Sequence, residues 1–222
     1  MKAEPVSGAE LAASLLEIGA VVLRPSNPFT WASGLESPIY CDNRMTLGHP
    51  DLRAAICAGF AAMSANYTFS RVAGTATAGI PHAAWLADAL DLPMCYVRSG
   101  AKKHGRGNQI EGPLDKGDSV LLIEDLVSTG MSSLAAVHAL QDAGATVPAV
   151  LAIFSYGIPM SRTAFRDANM PLHTLTTFQH LLEAAEHLSG PRGPRDLGEG
   201  EIDSLRRWHR DPKAWSDAQV AG

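Results

Sequence analysis

Residues 120–133 decide the fold class of this 222-residue chain and read Val120-Leu121-Leu122-Ile123-Glu124-Asp125-Leu126-Val127-Ser128-Thr129-Gly130-Met131-Ser132-Ser133. The run over 120–123 is continuously apolar, which is typical of a strand buried on both faces of a parallel sheet. We expect this strand to end at the acidic pair 124–125, and a helix to follow over 134–143. A strand that leads through a short polar turn into a helix is the building unit of an α/β fold.

The acidic pair and the turn after it suit a phosphorylated sugar. Glu124 and Asp125 can accept hydrogen bonds from a vicinal diol such as the ribose 2- and 3-hydroxyls, and they place negative charge where a ribosyl cation would develop. The Ser-Thr-Gly turn offers a phosphate backbone N–H groups and the positive end of a helix dipole, and Gly130 is expected to let the anion approach closely. The alternative is that Ser132 or Ser133 merely caps a helix while both carboxylates lie in solvent.

The chain around this unit repeats the alternation of strand and helix. Strands are predicted at 72–73, 94–97 and 147–154, and helices at 80–90 and 134–143. Continuous apolar strands separated by helices indicate an α/β protein with a central parallel sheet flanked by helices. In such sheets ligands bind at the carboxyl ends of the strands.

The N-terminal part is predicted to differ from this core. Ser7 and Glu10 fit a capping box for a first helix that ends at Gly19. Residues 25–48 are rich in Pro, Asn, Ser and Gly and indicate a hairpin-like hood, and a helix follows over 51–64.

A composition break at 189–200 separates a C-terminal segment. Two tryptophans beyond it, Trp208 and Trp215, indicate a segment folded back on the body. We predict a single domain over 1–188, with the hood mainly in 1–48 and the core mainly in 50–188, and a C-terminal appendage over 189–222.

Composition argues against several classes of protein. The net charge is −5 and the pI about 5.9, so the chain has no overall basic surface for a nucleic acid. We expect neither a signal peptide nor a membrane span, because the apolar runs are too short and interrupted. Three cysteines without a C-x-x-C pair fit reduced thiols. A cytoplasmic location is therefore expected.

A basic glycine-rich loop, residues 98–112, follows the predicted strand 94–97. It holds five cationic or titratable side chains and four glycines in an acidic protein. Such a loop can be mobile and can close over a pyrophosphate, exclude water and neutralise a leaving group. Lys102 is our first choice for transition-state stabilisation, and His104 could donate a hydrogen bond or proton. The alternative is an ordinary solvated basic loop.

Other nucleotide-binding motifs are not matched. No Gly-Lys-Ser/Thr follows the turn of 128–133, so it is not a P-loop. The segment 105–110 lacks the third glycine of a dinucleotide fingerprint and opens no evident helix.

Residues 120–133 resemble the motif with which type I phosphoribosyltransferases bind phosphoribosyl pyrophosphate (PRPP). The loop within 96–112 resembles the catalytic loop of orotate phosphoribosyltransferases, and so do Pro28 to Gly34, Ser37 to Tyr40 and Gly74 to Ile80. The resemblance covers Gly19 to Phe154, with a looser match around Trp208 and Trp215. It implies the type I phosphoribosyltransferase fold with a small N-terminal hood.

The resemblance also implies a reaction. PRPP and orotate would give orotidine 5-monophosphate and pyrophosphate in de novo pyrimidine synthesis, with Mg²⁺ bound mainly through PRPP and pyrophosphate oxygens rather than by protein ligands. The family works as a homodimer in which the mobile loop of one subunit reaches the site of the other. The catalytic residues implied are Lys102, His104 and Asp125.

Binding roles follow from the same resemblance. Glu124 and Asp125 would hold the ribose, and Ser128 would also lie near orotate. Ser128 to Ser132 would hold the 5-phosphate, and Arg98, Lys102 and His104 would hold the pyrophosphate. The whole PRPP-binding set implied is Arg98, Lys102, His104, Glu124, Asp125, Leu126, Val127, Ser128, Thr129, Gly130, Met131 and Ser132.

Four positions depart from many relatives. Ala32 stands where those relatives have a substrate-binding lysine, and Ala78 where they have a lysine before the glycine. Ser99 replaces a loop cation, and Tyr156 aligns with an arginine used near the base. The orotate carboxylate is thus left without an assigned cation, and Arg44 or backbone N–H groups of the hood are the candidates.

Three rival functions remain open at this point. The chain could transfer phosphoribosyl to another base, it could be a regulator that senses PRPP without catalysis, or it could be a generic α/β nucleotide-binding protein. An intact Lys102/His104 loop favours catalysis, since a binding protein has less use for a closing lid.

Overall fold

The computed structural model describes residues 4–31, 34–100, 109–187 and 197–220. Its strands are β1 (Val21–Leu23), β2 (Phe29–Thr30), β3 (Glu36–Ser37), β4 (Ile39–Cys41), β5 (Arg71–Thr75), β6 (Met94–Val97), β7 (Ile110–Glu111), β8 (Val120–Val127), β9 (Val150–Ser155) and β10 (Leu172–Thr177). Its α-helices are α1 (Gly8–Glu17), α2 (Pro50–Ser64), α3 (Gly79–Leu90), α4 (Met131–Asp142), α5 (Pro159–Asp167), α6 (Phe178–His187), α7 (Glu199–Arg210) and α8 (Pro212–Val220).

A six-stranded sheet in the order β10-β9-β8-β5-β6-β7 forms the centre of the fold. The strands β10, β9, β8, β5 and β6 run parallel, and β7 pairs antiparallel with β6 at one edge. Along β8 the side chains alternate between two apolar layers: Leu121 and Ile123 join one, and Val120 and Leu122 the other. The α/β class with a central, mostly parallel sheet is therefore confirmed.

The strand β8 is longer than its apolar run. It continues through Val127, because β9 extends alongside it, with Leu126 opposite Phe154 and Val127 opposite Ser155. The prediction that the strand ends before Glu124 was wrong. The acidic pair lies within the second half of β8. The helix after it, α4, begins three residues earlier than predicted, at Met131.

The first helix has the predicted capping box. The backbone N–H of Glu10 donates to Oγ of Ser7, and the backbone N–H of Ser7 donates to Oε2 of Glu10. Gly19 follows the helix with a φ of 71°, a backbone conformation that glycine adopts without strain.

Two small antiparallel pairs, β1–β4 and β2–β3, form the N-terminal hood. Residues Asn43–Gly48 then make a 3-10 helix that leads into α2. Hairpin-like pairing was predicted for this part of the chain.

The C-terminal helices α7 and α8 lie against the hood and the sheet. Trp208 is fully buried, with its ring 5.8 Å from that of Trp31 and 5.6 Å from that of Tyr156. On α8, Oγ of Ser216 accepts a 2.9 Å hydrogen bond from the backbone N–H of Glu36. The division of the chain at 188–189 falls outside the described residues and stays a prediction. Among the described residues, no helix is long and apolar enough to cross a membrane.

Candidate active site

A cleft opens where β5 and β8 diverge at their carboxyl ends. The paired register of these strands ends with Gly74 opposite Ile123. The cavity beyond that point has a volume of about 280 Å³. It is lined by Thr75, Ala76, Val97, Arg98, Ser99, Gln109, Glu124, Asp125, Leu126, Ser132, Ala135 and Ala136.

Glu124 is buried in this cleft and held by three donors. The hydroxyl of Thr75 lies 2.5 Å from Oε1, the hydroxyl of Ser133 lies 2.9 Å from Oε2, and the backbone N–H of Asp125 donates to Oε1 at 3.0 Å. A carboxylate with several donors is held in one orientation. The alternative in which both carboxylates lie in solvent is thereby excluded for Glu124.

Asp125 is the second carboxyl group of the cleft and is partly buried. Burial, followed by the charge of Glu124, raises its pKa from 3.8 to about 7. Two carboxylates so close together resist ionising at once. A ligand that brings hydroxyl donors or positive charge to the pair would therefore stabilise its ionised form.

The Ser-Thr-Gly turn leads directly from β8 into α4. Gly130 precedes the helix with a φ of 86°, and the described residues supply no side-chain cap for the first turn. Ser133 donates to Glu124 instead of capping the helix, so the N-terminal N–H groups are left for an anion.

Gly130 has a structural role in addition to the close approach of an anion, which stays a prediction. A Cβ atom at this position would lie 2.7 Å from the ring of Phe165 on α5. The glycine is needed for its positive φ and for close packing of α5 behind the turn.

Arg98 lines the same cleft as the acidic pair. Its backbone N–H donates to the carbonyl of Gln109 at 2.9 Å, and Nη1 lies 3.5 Å from Oε1 of Glu111. The cleft thus brings together Arg98, Glu124, Asp125, Leu126 and Ser132 of the predicted set. Lys102 and His104 belong to 101–108, outside the described residues.

The rest of the predicted set surrounds the start of α4. Val127 is buried at the end of β8, Ser128 and Thr129 are half-buried in the turn, and Met131 is 65% exposed at the first position of the helix. The contact expected between Ser128 and orotate stays a prediction.

Of the four departing positions, Ala32 lies outside the described residues, Ala78 directly precedes α3, and Ser99 lines the cleft. Tyr156 is buried, and its ring contacts those of Trp31, Phe154 and Trp208. Tyr156 therefore joins the hood to the end of β9 by packing. Arg44 is paired with Asp42 through hydrogen bonds of 2.6 and 2.7 Å, which makes it a weaker candidate for the orotate carboxylate.

Three residues of this region were missed or misassigned from the sequence. Thr75 and Ser133 hold Glu124, and Asn43 donates a 2.7 Å hydrogen bond to the backbone carbonyl of Asp125. Thr75 belongs to the glycine-rich segment 74–80 and could have been considered. No sequence signal connects Asn43 with Asp125, 82 positions away.

The comparisons with known proteins show the family of this chain. Residues 52–165 match the family described as "Phosphoribosyl transferase domain". An orotate phosphoribosyltransferase of Listeria monocytogenes is 51% identical over 209 residues, which cover 93% of this chain and 97% of that protein.

Solved structures are similar as well. The orotate phosphoribosyltransferase of Aeropyrum pernix superposes with a TM-score of 0.70 at 30% identity, over 81% of this chain and 99% of that one. A complex of the Mycobacterium tuberculosis orotate phosphoribosyltransferase with PRPP gives a TM-score of 0.62 at 28% identity, over 78% of this chain and 97% of that one.

Proposed function

This chain belongs to the orotate phosphoribosyltransferase family and converts PRPP and orotate into orotidine 5-monophosphate and pyrophosphate, and we propose that it does so in the cleft between β5 and β8. The observation that carries this assignment of the site is the buried Glu124 beside Asp125, near the end of the strand whose turn leads into a helix start without a side-chain cap. The carboxylates can accept hydrogen bonds from ribose hydroxyls, and the helix N–H groups can donate to a 5-phosphate.

The ribose and its 5-phosphate would be held by the end of β8 and the start of α4. Glu124, oriented by Thr75 and Ser133, and the carboxylate of Asp125 would accept hydrogen bonds from the ribose hydroxyls. The 5-phosphate would be held by the N–H and hydroxyl groups of Ser128 to Ser132, with Leu126 and Val127 forming the apolar floor.

The pyrophosphate would be held by cations from the loop after β6. Arg98 lines the cleft that also holds the acidic pair, and Lys102 and His104 follow in the same loop. Their positive charge would stabilise the departing pyrophosphate, and closure of the loop would exclude water. Asp125 would stabilise the oxocarbenium-like ribosyl group as the bond to pyrophosphate breaks and the bond to the base forms.

We also propose a requirement for Mg²⁺ that arrives with PRPP. Magnesium is usually bound through one or two carboxylates together with substrate phosphates. The described residues contain no cluster of three or more His, Cys, Asp or Glu that could hold a metal alone, and oxygens of PRPP and pyrophosphate would be the main ligands of the ion. When bound, the ion would neutralise charge on the pyrophosphate.

Finally, we propose a cytoplasmic homodimer whose loop 98–112 crosses to the partner site. The location is supported by the three unpaired cysteines, Cys41, Cys57 and Cys95. The shared loop rests on the resemblance of 96–112 and is testable by mixing Lys102→Ala and Asp125→Asn proteins. Because one site of each mixed dimer would be intact, activity should recover to about a quarter of the wild-type value. No recovery after subunit exchange would reject the crossing loop.

The assignment of the base is tested by spectrophotometry. Protein, PRPP and Mg²⁺ are mixed with orotate, uracil, adenine or hypoxanthine, and the loss of each base is followed. We expect consumption of orotate alone. Turnover of another base without orotate would point to a different phosphoribosyltransferase, and turnover of none would favour a PRPP-sensing regulator.

A further inference from the structure

Asn43 lies in the hood but contacts the strand that carries the acidic pair. It is only 1% exposed, at the start of the 3-10 helix after β4. Its side-chain Nδ2 donates a 2.7 Å hydrogen bond to the backbone carbonyl of Asp125, and its Oδ1 lies 3.5 Å from Sγ of Cys41 as an acceptor. Both ends of the amide are therefore used.

The carbonyl of Asp125 needs such a partner because of the sheet topology. The register of β5 with β8 ends at Gly74 and Ile123, so the ladder on that side stops before Asp125. A buried backbone carbonyl without a donor is costly. Here the side chain of Asn43 donates the hydrogen bond that a neighbouring strand would otherwise supply to the carbonyl of Asp125. The backbone N–H of Asp125 donates to the carboxylate of Glu124.

We infer that Asn43 is a positioning residue for the transfer reaction, which acts by fixing the backbone of Asp125 so that its carboxylate faces the ribosyl group. This inference rests on the proposed role of Asp125. An asparagine suits the position because one amide donates to the carbonyl while accepting from the thiol of Cys41. Burial raises the pKa of that thiol and keeps it protonated as a donor.

The contact also joins two parts of the site. The hood reaches β8 through Asn43, next to the packing of Trp31 on Tyr156 at the end of β9. A change at Asn43 should therefore alter the chemical step more than the overall fold.

A double-mutant cycle tests the inference. Asn43→Ala should lower kcat by about 10- to 100-fold, the equivalent of one unsatisfied buried carbonyl. In the Asp125→Asn background the same substitution should lower kcat less than about threefold, because the carboxylate it positions is already lost. Equal fold losses in both backgrounds would overturn the positioning role.

Ser37→Ala is the matched control. Ser37 is a fully buried polar residue of the hood whose hydroxyl donates to the carbonyl of Ile39 at 2.9 Å. Its substitution removes a buried hydrogen bond without touching Asp125, so kcat should stay within about twofold of wild type. If Ser37→Ala and Asn43→Ala lower kcat equally, the effect is one of general stability and the inference fails.

Asn43→Asp provides a second variant of nearly the same volume. A protonated carboxyl can donate to the carbonyl of Asp125 and a charged one cannot. The kcat of this variant relative to wild type should therefore fall as the pH rises from about 5.5 to about 8.5, and a flat ratio would contradict the inference. If Asp125→Asn alone leaves kcat unchanged, the proposed role of Asp125 fails instead, so the two failures are distinguishable.

Discussion

The hydroxyl of Thr75 donates a 2.5 Å hydrogen bond to Oε1 of Glu124 across the point where β5 and β8 part. Thr75 is the last residue of β5, and Glu124 is the fifth of β8. The bond fixes a buried carboxylate on one strand from the neighbouring strand. The width of the cleft and the direction of the carboxylate are therefore set together.

Thr75→Val should weaken this arrangement without creating a cavity. Valine has nearly the same shape but cannot donate, and a hydrogen bond to a charged group contributes about 1.5–3 kcal/mol. We expect kcat/KM for PRPP to fall by about 10- to 100-fold in steady-state assays. Thr75→Ser keeps the donor and should retain most activity. Thr146→Val, at the exposed amino-terminal edge of the sheet, is the control; an equal loss there would remove the argument.

The raised pKa of Asp125 predicts a specific dependence of stability on pH. Burial and the charge of Glu124 raise this pKa from 3.8 to about 7. The folded protein therefore holds a proton that the unfolded chain releases, and this contribution is fully present below about pH 4 and lost as the pH rises through about 7. Asp125→Asn removes this pH-dependent contribution to stability. The unfolding free energy of wild type minus that of the variant should fall over this range, by about 4 kcal/mol at most.

Urea unfolding at several pH values measures this difference. Asp118→Asn serves as a control of opposite sign, because the backbone N–H of Asp115 and the side chain of Arg71 lower the pKa of Asp118. Its contribution is present above the ordinary carboxyl pKa and lost as the pH falls. A pH-independent difference between wild type and Asp125→Asn would show that this carboxyl is not perturbed in the free protein.

The burial of Trp208 predicts that the C-terminal helices are part of the stable body. The Trp208 side chain packs on Trp31, Tyr156 and Phe178 and is fully buried. Trp208→Ala should reduce the free energy of unfolding by about 3–5 kcal/mol in thermal or urea unfolding. Arg207→Ala, on the exposed face of the same helix, loses only a surface ion pair and should cost about 0.5 kcal/mol. A loss below about 1 kcal/mol for Trp208→Ala would mean that α7 is detached in solution.

The sequence predicted the parts of this protein that depend on local pattern. The apolar run over 120–123, the capping box of Ser7 and the alternation of strands and helices over 72–154 each have a short-range physical cause; α5, β10 and α6 were not predicted. The end of β8 could not be predicted in this way, because Glu124 and Asp125 are polar and become strand residues only through pairing with β9. Tertiary pairing outweighed local preference there.

The site was predictable to a similar extent. Adjacent carboxylates before a Ser-Thr-Gly turn predicted a ribose-phosphate site at the end of β8, and the cleft at that end is lined by both carboxyl groups. The partners that hold them come from distant segments: Thr75 is 49 positions from Glu124, and Asn43 is 82 from Asp125. Such pairs form through the topology of the sheet, and no pattern within a single segment reveals them.

Lys102→Ala tests the proposed lid. The lysine belongs to the basic loop 98–112, and its charge is proposed to act on the departing pyrophosphate rather than on bound PRPP. An interaction that strengthens in the transition state changes turnover more than binding. We expect kcat to fall by about 10²- to 10³-fold in the orotate absorbance assay, while the Kd for PRPP, followed by tryptophan fluorescence, rises by less than about tenfold. Lys103→Ala, which removes an adjacent charge of the same loop, is the control and should change kcat by only a few-fold. Equal losses in binding and in kcat/KM, with kcat itself unchanged, would show that Lys102 holds PRPP without contributing to its cleavage.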